Sequence, residues 1–194
     1  MAVKEADVRK ALYRDLLRPD CEDENAVVLN ELGLCEGRAR IDVAALNGEL
    51  VGYEIKSERD TLDRLPRQIK YYDRVFDRLL LVTSECHLKG GIDFLPDHWG
   101  LVTTRPEDDS VHLSTAREAE PNPNIDPYAL SQLLWKPEVL SILENNDLDW
   151  GVRSKPRSAM WERLAENFSA REITRFVLKA WKNREGWPVD QQPS

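Results

Sequence analysis

The sequence has few of the residues that build thiolate metal centres, disulfide frameworks or membrane spans. Its three cysteines, Cys21, Cys35 and Cys86, include no C-x-x-C pair. An odd count without zinc spacing argues against a disulfide framework and against a zinc site. The three histidines, His87, His98 and His112, are scattered, and the adjacent Cys86-His87 reads as a loop or helix start. There is no run of about eighteen apolar residues, so no segment is expected to span a membrane. The N-terminal Met1-Ala2-Val3-Lys4-Glu5-Ala6-Asp7 carries charge where a secretory leader has its apolar core, and the expected location is the cytoplasm. Internal repeats and low-complexity tracts are also missing. Positive charge is in deficit: 27 Lys and Arg stand against 35 Asp and Glu, a net charge of −8. Overall attraction to a polyanion is thereby disfavoured, and any nucleic-acid contact must come from local clusters of cations.

What is present fits a soluble globular chain. Of 194 residues, 41% are hydrophobic and 32% charged, enough for one α/β domain of ordinary size with a small appendage. Residues 3–18 carry Val8, Ala11, Leu12, Leu16 and Leu17 at helical spacing, and Pro19-Asp20 is expected to end that helix. Residues 26–32 are apolar and suit strand or helix equally. Residues 39–46 and 50–57 alternate as two strands around Asn47-Gly48, a hairpin signal. A helix is expected over about 63–77, with Leu65, Ile69, Tyr72 and Phe76 on its apolar face and Pro66 in its first turn. Leu79–Thr83 and Trp99–Thr104 read as buried strands. The order of elements predicts an α/β fold with a central mixed β-sheet flanked by helices. Residues 105–127, rich in Pro, Asp, Glu and Asn, read as an irregular connection. Beyond them lie candidate helices over about 127–135, 137–145, 157–167 and 170–184, the last opened by a Ser169-Ala-Arg-Glu172 capping box. The expected division is a core of residues 1–104, the connection 105–127, and a helical C-terminal subdomain 128–194 that is a candidate for binding DNA.

The chemistry concentrates on the hairpin. Hydrolysis of a phosphodiester calls for a divalent metal such as Mg²⁺ or Mn²⁺, hard oxygen ligands to hold it, and a fixed cation beside the nucleophile. Asp42, Glu54 and Lys56 supply these groups on neighbouring strands. If Ile41, Val43 and Ala45 share one face and Val51, Tyr53 and Ile55 share the corresponding face, then Asp42, Glu54 and Lys56 lie together on the other. A two-residue Asn47-Gly48 turn would split the carboxylates between faces. A three-residue loop, Leu46-Asn47-Gly48 with Gly48 left-handed, pairs Asp42 with Gly52 and makes Glu54 its diagonal neighbour, so that loop is expected.

Residues 31–83 resemble the PD-(D/E)XK nuclease superfamily, in the branch shared by RecB-type nucleases and archaeal Holliday-junction resolvases. The resemblance rests on Glu31 ahead of the hairpin, Arg40-Ile41-Asp42, Glu54-Ile55-Lys56, and Gln68-Ile69-Lys70-Tyr71-Tyr72, in that order. The stretch from Glu54 to Gln68 also looks like a family of small uncharacterised bacterial proteins in that superfamily, a likeness that continues into Arg153–Arg157 and the Trp181–Trp187 tail. The resemblance implies a restriction-endonuclease-like core that cuts DNA. By it Asp42, Glu54 and the Ile55 carbonyl would hold the metal, with Glu31 completing the shell. Lys56 would orient or help deprotonate the attacking water, and Gln68 and Tyr72 would support the site and touch substrate. The usual Pro before the first Asp is replaced here by Ile41.

For DNA contact, Arg67, Lys70, Arg74 and Arg78 recur at helical spacing, among Asp residues that suggest surface ion pairing instead. Arg153, Lys155 and Arg157 form a basic loop leading into a helix start, a natural phosphate site, and the helix–loop–helix arrangement is similar to SAP-type DNA-binding modules. Trp135, Trp150, Trp161, Trp181 and Trp187 are expected mainly in packing. The leading expectation is a metal-dependent DNA endonuclease in repair, recombination or defence, with RNA kept open as substrate and a homodimer by analogy. The alternatives are a non-catalytic DNA-binding module or an assembly protein that kept the fold.

Overall fold

The computed structural model describes residues 4–89, 92–108 and 110–184. At its centre six strands lie in sequential order: β1 (Val27–Leu34), β2 (Ala39–Asn47), β3 (Glu49–Lys56), β4 (Arg78–Ser84), β5 (Gly100–Glu107) and β6 (Ser110–Arg117). Strands β1, β2 and β3 form an antiparallel meander. Strands β3, β4 and β5 run parallel, and β6 returns antiparallel along β5. Parallel neighbours need a crossover; α3 (Leu65–Tyr72) makes the first, and α4 (Glu85–Lys89) begins the second. The α/β class with a mixed sheet is thus as the sequence predicts.

Both faces of the sheet are covered, which is why Leu79-Leu80-Leu81-Val82 reads as an unbroken apolar run. On one face Leu29, Ala44, Leu46, Leu50, Leu79 and Leu81 pack with Leu65, Ile69 and Tyr72 of α3. The same cluster takes in the C-terminal helices α5 (Pro127–Ser131), α6 (Lys136–Glu144), α7 (Arg157–Asn167) and α8 (Ala170–Asn183), through Leu130, Leu143, Trp161, Val177 and Trp181. On the other face Val28, Val43, Ala45, Tyr53, Ile55, Val82 and Val102 meet Val8, Ala11 and Leu12 of α1 (Glu5–Leu12). No described helix is long and apolar enough to cross a membrane.

Several expectations are corrected. The first helix does not stop at Pro19-Asp20. A π-helical turn, Tyr13–Leu17, carries α1 into α2 (Arg18–Glu22), and Pro19 stands at the beginning of α2, directly after that turn. Residues 26–32 resolve as strand β1. The segment 105–127 is not irregular throughout: β5 runs on to Glu107 and β6 follows, so a boundary at 104 falls inside a strand. As an edge strand β6 buries only Val111 fully, so its sequence carries little alternation. The helix expected over 63–77 is confined to Leu65–Tyr72, with Pro66 in its first turn as predicted. The helix expected over 127–135 shortens to Pro127–Ser131, while the other three C-terminal helices lie within a residue of their predicted bounds and Ser169 and Glu172 cap each other reciprocally. Trp161 and Trp181 are buried as expected, but Trp135 and Trp150 are 49% and 86% exposed. Trp187 lies outside the described residues.

Candidate active site

The hairpin register differs from the predicted one by one residue on each strand. Leu46 faces Leu50, Ala44 faces Gly52 and Val43 faces Tyr53, around Gly48 at φ +80°. Asn47 pairs with Glu49 as well, so Gly48 alone lies between the strands in place of the expected three-residue Leu46-Asn47-Gly48 loop. The expected Asp42–Gly52 pair is not formed: Gly52 faces Ala44, and the register stops one step short of Asp42 and Glu54. Gly52 is closely packed in this register: a Cβ there would come within 2.6 Å of Ile41 Cδ1 and 2.9 Å of Leu79 Cδ2, so a larger residue would require those side-chain ends to move.

The β2–β3 ladder ends at Val43↔Tyr53. Strand β2 continues beside β1 to Ala39, and β3 continues beside β4 to Lys56, so the sheet forks at Asp42 and Glu54. The carboxylate of Asp42 spans the fork, its Oδ2 accepting the Ile55 N–H at 2.6 Å. On the other side of Asp42, the pair with Glu31 is missing from an otherwise continuous β1–β2 register, and Glu31 has φ 56°. Alternation is lost at the same point. Ile41 packs with Ala44 and Leu46, while Val43 and Ala45 join the opposite cluster. The expectation that Ile41, Val43 and Ala45 share a face is therefore corrected.

Glu54 is almost wholly buried, at 1% exposure. Its Oε1 lies 2.6 Å from Lys56 Nζ, and its Oε2 is 2.8 Å from the Tyr72 hydroxyl. That hydroxyl is also 2.6 Å from the Arg40 carbonyl and accepts from Gln68 Nε2 at 3.0 Å. It has one proton, so the proton is shared between the carboxylate and the carbonyl. Gln68 and Tyr72 stand one turn apart on α3, which aims both at β3. Burial, and then the charge of Glu54, push the Asp42 carboxyl up from 3.8 to about 7, against the pull of the Ile55 N–H and of Lys56. Burial and the neighbouring Glu54 also raise the Tyr72 hydroxyl, which keeps it a donor.

One buried and one half-buried carboxylate stand against a single ammonium, and the carboxylate donors are hard oxygens, a set suited to Mg²⁺ or Mn²⁺. The site lies at the base of a cleft of about 780 Å³ rimmed by Arg38, Arg40, Arg64 and Arg67. Gln68 lines the same cleft, and its buried Oε1 has no hydrogen-bond partner.

The structure thus brings together Asp42, Glu54, Lys56, Gln68 and Tyr72, with Ile55 between the carboxylates. Glu31 is near but engaged: exposed, it pairs with Arg9 at 2.9 Å and Arg40 at 2.8 Å. Of the predicted cationic stripe, Arg67 reaches the cleft rim, whereas Lys70 is exposed outside it. Arg74 and Arg78 are taken up by Asp126 and Glu49. In the C-terminal loop Arg153 pairs with Glu144 and Asp149, Arg157 stacks over Trp161 at 5.1 Å, and Lys155 is exposed. None of these three lines the cleft. Sequence reasoning missed Arg38 and Arg40 on the rim, and Glu5 and Arg9 on α1. The spacing Arg38-x-Arg40-x-Asp42, period two on one strand, was the available signal for the first pair.

The model of the bacteriophage P4 protein cII family matches residues 1–187. The chain belongs to this family. Protein cII of Enterobacteria phage P4 is 26% identical over 187 residues, an alignment that covers 94% of this chain and 68% of the phage protein. Among solved structures, a protein of unknown function from Silicibacter pomeroyi matches with a TM-score of 0.45 and 20% identity, over 80% of this chain and 100% of that one. Neither relative's name states an activity, so the chemistry of this family member is argued from its cleft.

Proposed function

We propose that this chain is a metal-dependent DNA endonuclease of the PD-(D/E)XK type. The observation that carries the reading is the convergence of Asp42, Glu54 and Lys56 where β2 and β3 part, at the base of an arginine-rimmed cleft. Asp42 and Glu54, with the Ile55 carbonyl between them, would hold Mg²⁺ or Mn²⁺. The ion would supply a more acidic bound water and neutralise charge on the phosphate. The rest falls to the chain's own groups. Tyr72 fixes one oxygen of Glu54 and Lys56 holds the other, so the carboxylate cannot rotate. Lys56, 16% exposed at the cleft base, orients the attacking water and faces the charge that builds on the phosphate. Arg38, Arg64 and Arg67 are the rim cations that seat flanking phosphates, which lets an acidic chain bind DNA locally.

The test is cleavage of plasmid, linear and branched DNA, and of RNA, in Mg²⁺, Mn²⁺ or EDTA. Lys56→Ala and Asp42→Ala are each expected to lower the rate by at least about a hundredfold, and EDTA to abolish it. Absence of cutting on every substrate by a folded protein that binds the metal overturns the hydrolytic reading. A salt-sensitive affinity for DNA in that case would identify a binding module instead.

A further inference from the structure

The guanidinium of Arg9 sits where both ladders around Asp42 open. Its Nη2 donates to Glu5 Oε1 at 2.6 Å and to Glu31 Oε1 at 2.9 Å. Its Nη1 donates to Asn30 Oδ1 at 2.9 Å and to the Asp42 carbonyl at 3.0 Å. Both terminal nitrogens are therefore saturated, and the side chain is only 14% exposed. Asn30 is in turn fixed by donating to the Tyr13 hydroxyl at 2.8 Å. Around this guanidinium, carboxylate oxygens of Glu5, Glu31 and Asp42 lie within 4.8 Å of one another. Such an arrangement of three carboxylates would otherwise invite a divalent ion beside the one proposed for Asp42 and Glu54. A planar cation with directed donors answers the same charge and also supplies the Asp42 carbonyl with the partner that the interrupted β1–β2 ladder does not.

We infer that Arg9 is the resident cation of the Glu5–Glu31–Asp42 cluster, closing Glu5 and Glu31 to a divalent ion. The cluster is then a fixed internal salt bridge that holds the main chain of Asp42, and Glu31 is not a metal ligand in this chain. The inference rests on the metal-dependent reading only for what Asp42 and Glu54 bind, and its test separates the two.

Mn²⁺ binding to the full-length protein is counted by electron paramagnetic resonance for wild type, Arg9→Met, Arg9→Met with Glu31→Gln, and Glu54→Gln. Arg9→Met is expected to bind one Mn²⁺ more than wild type, and the added Glu31→Gln to remove that extra ion. An unchanged count in Arg9→Met with native circular dichroism overturns the inference. Loss of the wild-type ion in Glu54→Gln reads the metal site itself. A wild type that binds none, with the increment in Arg9→Met intact, overturns the metal reading of Asp42 and Glu54 but supports Arg9. Should Arg9→Met not fold, Glu5→Gln and Glu31→Gln are measured in the wild-type background. Each is expected to leave the Mn²⁺ count unchanged and any affinity within about twofold, whereas loss of an ion or weakening by about tenfold overturns the inference.

Discussion

Replacing Asp42 by Asn should stabilise the metal-free protein while removing its proposed chemistry. Folding moves this carboxyl from 3.8 to about 7, through burial and then repulsion from Glu54. A displacement of that size corresponds to about 4 kcal/mol held against the folded state when the group is ionised. The sign runs opposite to a salt-bridged carboxylate. Because the fold prefers the protonated form, stability is fully present below the unfolded value and is lost as pH rises through the interval up to about 7. Asn carries no charge at any of these pH values, and its side-chain oxygen can still accept the Ile55 N–H. Since Asp42 is only partly enclosed, we expect about half of the full figure, ~2 kcal/mol, as the gain above neutral pH. The assay is urea unfolding followed by tryptophan fluorescence, in EDTA, from about pH 4 to about pH 8. The two proteins should coincide at the acid end, diverge through the middle and run parallel above about pH 7. Metal at about a hundred times its Kd should then raise the wild type by ~2.7 kcal/mol and leave the variant unmoved. A variant less stable than wild type near pH 8, or a gap that does not change with pH, would refute the reasoning.

Tyr72→Phe leaves Glu54 Oε2, the Arg40 carbonyl and Gln68 Nε2 short of a partner; we expect a loss of about 2–4 kcal/mol in the same unfolding assay. Gly52→Ala drives a methyl into Ile41, Leu79 and Phe76 and should cost about 1–3 kcal/mol; a neutral result would show that these side-chain ends give way. Arg67→Ala should raise KM for DNA with little change in kcat, and lower the salt dependence of binding by about one phosphate contact.

The carboxylate pair was legible because a hairpin turning at Asn47-Gly48 brings Asp42 and Glu54 to the same level of neighbouring strands, even though the alternation of β2 breaks between Ile41 and Val43. The sequence did not make the register legible, because the contacts that Gly52 makes room for, with Ile41, Leu79 and Phe76, come from different parts of the chain. Nor did it announce the break at Asp42, since a left-handed Glu31 has no local signature of the kind that Gly48 has in its turn. Arg9 was invisible for a related reason: its partners Asn30 and Asp42 lie 21 and 33 residues away, beyond any helical or strand period. The C-terminal helices were legible from their apolar stripes and the Ser169 cap. Strand β6 was not, because an edge strand with one residue fully buried resembles a polar loop.

The cluster that joins the sheet to the C-terminal helices has a thermodynamic consequence. Leu79 and Leu81 of β4 and Leu130, Trp161, Val177 and Trp181 of the helices are buried in one continuous apolar contact. The segment between the two halves is fastened as well, with Asn122 donating to the Asp73 and Phe76 carbonyls at 2.7 and 2.8 Å. Neither half can melt without stripping the other of part of its cover, so the chain is expected to unfold as a single cooperative unit. A fragment cut at the composition break after residue 104 would strip the part of one sheet face that the C-terminal helices cover, leaving α3 on the rest, and lose the edge strand β6 along with it. For this protein, then, the sheet that carries the carboxylates of β2 and β3 shares its apolar cover with helices that begin more than seventy residues later in the chain.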